Sequence, residues 1–126
     1  MEVILISIGG GSDLELAQAA VLSSVPDQSD EGNTIFSRSL DIAKNFSIPR
    51  GSQLVPPSGP DTLSGVDLKT QKIRKGSCTR IDEWLHQCGR SLSKDTHKIV
   101  SEVEKRGHQA VVIADQEHEL GVLELV

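Results

Sequence analysis

Aromatic side chains are nearly missing from this chain, which has two phenylalanines, one tryptophan and no tyrosine among 126 residues. Its core must be assembled from Leu, Ile, Val and Ala, and any function that stacks a flat ligand on a ring has only Phe36, Phe46 and Trp84 to use. Cysteine is also scarce. Cys78 and Cys88 fall in one predicted helix, about 15 Å apart, too far for a disulfide. A reduced, cytoplasmic setting is the expectation that follows. The four histidines are scattered without metal-ligand spacing, and His97 and His108 read as ordinary surface. No apolar run approaches a membrane span. The opening MEVILISI lacks a basic leader and runs into Gly9-Gly10-Gly11, so it reads as a buried strand rather than a signal peptide. That glycine run lacks the Gly-Lys-Ser/Thr ending of a P-loop and reads as a turn. Positive charge is in deficit as well: 13 basic against 18 acidic residues give a net charge of −5, which argues against nucleic-acid or anionic-membrane partners.

What is present is the composition of one globular domain, 37% apolar and 25% charged. The one dense basic cluster is Lys69, Lys72, Arg74, Lys75 and Arg80, ordinarily a solvated strand edge. Residues 2–8 predict a strand. A helix capped by Ser12 or Asp13 follows, burying Leu14, Leu16, Ala17, Ala20, Val21 and Leu22 and ended by Pro26. A second helix is predicted from about Glu31 to Phe46, with Ile35, Phe36, Leu40, Ala43 and Phe46 inward. Residues 48–60 read as loop with a short strand at 53–56, and 62–76 as a β-hairpin turning near Lys69-Thr70. Ile81, Trp84, Leu85 and Cys88 mark one face of a third helix, and Ile99, Val100 and Val103 that of a fourth, from Ser93 to Arg106. AVVIA and LGVLELV flank Asp115–Glu119 as a last hairpin. The order is strand, two helices, three strands, two helices, two strands. That is an α+β domain, with a mostly antiparallel sheet of about six strands flanked by two pairs of helices, and a single domain over 1–126.

The segments LAQAAVLSSVPDQSDEGNTI, VPPSGPDTLSGVDL, KIRKGS and LGVLELV, in that order, resemble the nucleotide-binding (N) domain of P-type ATPases. The similarity is strongest to the B subunit of the Kdp potassium-transporting ATPase. In that family an acidic turn leads into Glu-Gly-Arg-Ser, a Val-Pro-Phe segment precedes a Met-Ser-Gly strand, and Arg-Lys-Gly-Ser opens the next helix. The likeness covers nearly everything from Leu14 onward, with no gap between Val55 and Gly65.

The resemblance implies an ATP site. Lys75 and Gly76 match the Lys-Gly turn beside the nucleotide, Glu31 the acidic residue of the adenine pocket, Ser64 the serine of the Ser-Gly strand, and Asp27 the aspartate of the acidic turn. A lysine ammonium is a compact charge for phosphate, and a glycine lets backbone approach closely. Glu31 can accept from the adenine amino group, and the Ser64 hydroxyl can donate or accept. Read without the resemblance, Lys75 is a strand-end lysine, Gly76 a turn glycine, Glu31 a first-turn anion, and Ser77 or Thr79 a plain helix cap. Two positions depart from the family. Pro57 stands where the adenine-stacking phenylalanine belongs, and Asn33 replaces an arginine. Trp84 is expected in the core rather than as a substitute platform.

The Asp-Lys-Thr-Gly-Thr motif that accepts the γ-phosphoryl group is absent from these 126 residues. The expectation is therefore an ATP-binding domain that positions ATP, with Mg on the nucleotide in an intact pump, for phosphoryl transfer to an aspartate supplied elsewhere. Both ends read as strands, as in a domain inserted into a phosphorylation domain, so an excised domain and a small stand-alone relative both fit. Its partners would be that domain and the membrane subunits of a parent potassium pump. The alternative is a degenerate interaction or regulatory module without nucleotide binding, for which Pro57 and Asn33 speak.

Overall fold

The computed structural model describes residues 1–59 and 61–126. The loop predicted over 48–60 is thus seen as far as Gly59, and Pro60 lies outside the described residues. The elements are β1 (Val3–Ser7), α1 (Asp13–Ser24), α2 (Asp30–Ile42), β2 (Gln53–Val55), β3 (Ser64–Asp67), β4 (Lys72–Gly76), α3 (Cys78–Gln87), α4 (Lys94–Lys105), β5 (Gln109–Asp115) and β6 (Glu119–Leu125).

Every helix starts on a serine in extended conformation. Ser12, Ser29, Ser77 and Ser93 each accept from the amide three residues on, in Glu15, Gly32, Arg80 and Thr96. Each such cap satisfies an orphan helix donor and contributes about 0.5–2 kcal/mol. Of the two candidates for the cap of α3, Ser77 takes the role and Thr79 lies inside the helix.

The six strands form one open sheet, ordered β1-β6-β5-β4-β3-β2, and every neighbouring pair is antiparallel. Strand alternation sends side chains to opposite faces, so the central strands supply two cores. Val66, Ile73, Val111, Ile113, Leu123 and Leu125 meet Leu16, Ala20 and Ile35 of the α1–α2 layer. Val112, Ala114 and Val122 meet Ile81, Leu85 and Val100 of the α3–α4 layer. Helix pairs therefore cover both faces of the sheet.

Several expectations change. Helix α2 ends at Ile42, not Phe46, with Ala43 as its cap. It seats on Gly32, Ile35, Ser39 and Ala43, while Phe36 and Leu40 are only half-buried. Leu14 is 50% exposed, because only α1 residues from Leu16 onward reach the sheet. Cys88 is exposed just beyond α3, and Trp84 is half-buried with the Arg74 guanidinium 5.4 Å above its ring. His108 is not plain surface: its Nδ1 lies 2.6 Å from the buried Glu124 carboxylate, which Arg106 also grips through two hydrogen bonds of 2.9 Å. The basic cluster disperses, because alternation along β4 sends Arg74 to the α3 face and Lys75 to the α1 face.

Candidate functional site

A cavity of about 400 Å³ lies where the α1–α2 turn, the segment between β2 and β3, and the ends of β3, β4 and β5 come together. Asp27, Glu31, Pro57, Ser64, Lys75 and Gly76 all line it, although they span 50 positions of sequence. Ser29, Gly59, Asp61, Thr62, Ser77 and the β5 residues Gln109 to Val111 complete the described wall.

Each lining residue is placed by a local reason. The β3–β4 register sets Ser64 opposite Lys75, so the two come from adjacent strands. The Ser64 hydroxyl is buried and donates to the Ser23 carbonyl at 2.9 Å, tying the strand to the end of α1. Its oxygen keeps acceptor capacity. Lys75 is 4% exposed, and its Nζ donates to Asp27 Oδ2 at 2.6 Å. The other Asp27 oxygen accepts from the Ser29 hydroxyl at 2.7 Å and the Ser29 amide at 3.2 Å. Burial alone would raise the Asp27 pKa. The hydrogen bonds from Lys75 and Ser29, with the lysine charge, outweigh it and hold the carboxyl below its ordinary value.

Ser29 thus joins two jobs, since its hydroxyl also caps α2 by accepting from Gly32. A side chain at Gly32 would overlap the Asp27 carbonyl and carboxyl, so this glycine lets α2 start against the site and hold Glu31 at its rim. At Gly76 an added Cβ would meet the Leu63 side chain at 2.5 Å. Pro57 contributes a half-buried ring. Asn33 is exposed and reaches only the Gln28 carbonyl, at 3.5 Å, so the position of the missing arginine is not in the described wall.

Ser29, Asp61, Thr62 and Gln109 were not singled out from the sequence. Ser29 had a legible signal, a serine one residue ahead of an acidic helix start. Gln109 had none, because only the sheet order brings the start of β5 beside the end of β4. The described wall carries the carboxylates of Asp27, Glu31 and Asp61 against the single ammonium of Lys75. Asp61 is offset from outside by Arg80, whose Nε is 3.4 Å from its carboxylate.

A groove between α3 and α4 sets Cys78 Sγ 3.6 Å from His97 Nδ1. Burial first, then Asp82, Glu104 and Glu119, push the Cys78 thiol up, so the pair is not an activated nucleophile. No group of three or more metal-ligating side chains occurs among the described residues.

The chain resembles solved structures of P-type ATPases. The N-domain of HMA8, a copper-transporting P-type ATPase, superposes with a TM-score of 0.70 at 11% identity, covering 100% of this chain and 97% of that one. A zinc-transporting PIB-type ATPase in its E2.Pi state matches with a TM-score of 0.66 at 14% identity, over 96% of this chain and 18% of that one. The fold is that of a P-type ATPase N-domain, an open antiparallel sheet with four helices. No protein-family model matches the chain. In sequence it is 30% identical over 116 residues to the potassium-transporting ATPase ATP-binding subunit of Deinococcus radiodurans, and 32% over 125 residues to that of Leptospira interrogans. Both alignments cover 92% of this chain. The chain is thus homologous, over nearly all its length, to one segment of the Kdp-type ATP-binding subunit, and it spans 17% and 18% of the length of these two relatives.

Proposed function

We propose that the chain is an ATP-binding domain of a potassium-transporting P-type ATPase, and that the cavity described above takes the adenosine end of the nucleotide. The observation that carries this reading is the convergence of Asp27, Glu31, Pro57, Ser64, Lys75 and Gly76 on one cavity. A volume of about 400 Å³ is of the size that ligand sites use.

The donor set fits a nucleoside better than a bare phosphate chain. Glu31 accepts from an exocyclic amino group, Ser64 offers an acceptor oxygen, and Pro57 gives an apolar face. Lys75 gives one hydrogen bond to Asp27, which leaves two ammonium hydrogens for ligand oxygens. Three wall carboxylates favour phosphates held at the mouth with their Mg rather than drawn inside. The site sits at the sheet end where β1 begins and β6 finishes. A cytoplasmic phosphorylation domain on that side would receive the γ-phosphate on its own aspartate. The chain's role would be to bind and position.

Binding is expected to be weak, because the chain is acidic and Pro57 replaces a stacking ring worth about 1–3 kcal/mol. Titrating ¹⁵N-labelled chain with ATP should shift the amides of Glu31, Ser64 and Lys75 at millimolar nucleotide. Unmoved amides there would sink the proposal. Pro57→Phe should tighten ATP by about 5- to 150-fold if the pocket is otherwise competent. The same substitution without effect would favour the rival reading, an interaction module that has lost its nucleotide site.

A further inference from the structure

The two edges of the sheet are treated differently. At the β2 edge the strand has three residues, Gln53–Val55, with Pro49 ahead of it and Pro56 and Pro57 directly behind. Short length and proline are the usual protections of an edge. At the other edge β1 has neither. It is Val-Ile-Leu-Ile-Ser, five residues without charge or proline, and among the described residues it pairs only with β6.

Its register says which groups are free. Val126 N–H donates to the Glu2 carbonyl, and Ile8 N–H to the Leu120 carbonyl. In an antiparallel ladder the bonded residues alternate, so Glu2, Ile4, Ile6 and Ile8 turn their backbone groups toward β6. Val3, Leu5 and Ser7 therefore turn theirs outward, to the side where β1 has no neighbouring strand among the described residues. Beside this row, Ile4 is 40% exposed.

We infer that β1 pairs with β1 of a second copy of this chain, antiparallel about a two-fold axis at Leu5. In that register Val3 faces Ser7 of the second copy, Leu5 faces Leu5, and Ile4 faces Ile6. Glu2 falls opposite Ile8 rather than another charge, while the Asp13 carboxylate is already held by the Ser7 hydroxyl at 2.6 Å. The strand is thus complementary to itself in hydrogen bonds and apolar pairing. Because the β2 edge is blocked, the pairing closes at a dimer instead of growing into a fibre. The nucleotide cavity lies against β3, β4 and β5, away from this edge, so the inference stands apart from the proposed function.

Sedimentation of the 126-residue chain from micromolar to near-millimolar concentration tests it, together with amide hydrogen exchange. Dimer should accumulate with concentration, and the Val3, Leu5 and Ser7 amides should slow in step while Ile4 and Ile6 do not change. Ile4→Lys places a charge against the second copy's Ile6 while its own site is partly solvated, so it should weaken the dimer by about tenfold or more without lowering thermal stability. Leu5→Pro, which removes an outward amide, should weaken the dimer as well; because Leu5 packs on the core its melting temperature should fall, and circular dichroism checks that it still folds. A chain that stays monomeric, exchange at Val3, Leu5 and Ser7 that ignores concentration, or a dimer indifferent to Ile4→Lys would overturn the inference.

Discussion

Lys75 and Asp27 form an ion pair whose side chains are 4% and 12% exposed. A charge that deep is tolerated only with its partner, and removing one member of such a pair costs about 3–5 kcal/mol through the charge left behind. Lys75→Met should therefore destabilise the domain by about that much. Adding Asp27→Asn should return part of the loss, because the stranded carboxylate is then neutral. Urea unfolding of the two single variants and the double variant measures this coupling, and simple additivity would show that the contact has no energetic meaning. The same pair explains why Lys75 cannot be read as a free phosphate-binding lysine. It fastens β4 to the α1–α2 turn.

At the level of elements, close approach decides what the strands can be. An added Cβ at Gly65 would overlap the Ile73 carbonyl on β4, whereas one at Gly59 would meet nothing within 4 Å. Gly65→Ala must then part β3 from β4 and should cost about 1–3 kcal/mol, with Ser64 displaced from Ser23 as a consequence. Gly59→Ala should stay within about 0.5 kcal/mol of the parent. Thermal denaturation of both variants checks the contrast, and equal melting temperatures would refute it. The Ser-Gly pair of the sequence is therefore a packing device.

For the whole molecule the consequence is sensitivity to acid. Hydrogen bonds from Arg106 and His108, against an opposing burial effect, bring the Glu124 pKa down from 4.5 to about 2, and Asp27 is lowered as well. Both groups bind a proton more readily unfolded than folded. Their stabilisation is complete above the unfolded values and is lost as pH falls through the folded ones. Glu124→Gln should lower the melting temperature at neutral pH, and the gap to the parent should close between about pH 4.5 and pH 2. Differential scanning calorimetry across that range measures it, and a gap independent of pH would disprove the assignment.

Much of this fold was legible in one dimension. Strands β1, β5 and β6 are apolar runs, β3 and β4 flank a legible turn, and each helix carries an apolar stripe behind a serine, so local chemistry set the element order and the α+β class. The in-register motifs also pointed to Asp27, Glu31, Pro57, Ser64, Lys75 and Gly76. What pattern could not carry was partnership. Periodicity put Cys88 and all of Trp84 in the core, but which face of α3 is covered depends on where the sheet ends. Nothing near Lys75 in sequence names Asp27, 48 positions away, as the carboxylate that neutralises it. Nor does the β1 sequence reveal that its strand lies at an edge, because strand order arises from long-range pairing. The sequence by itself determined the elements, because periodicity and capping are local. The tertiary structure alone decided which of their charges are already spent, since hydrogen bonds and burial belong to neighbours in space.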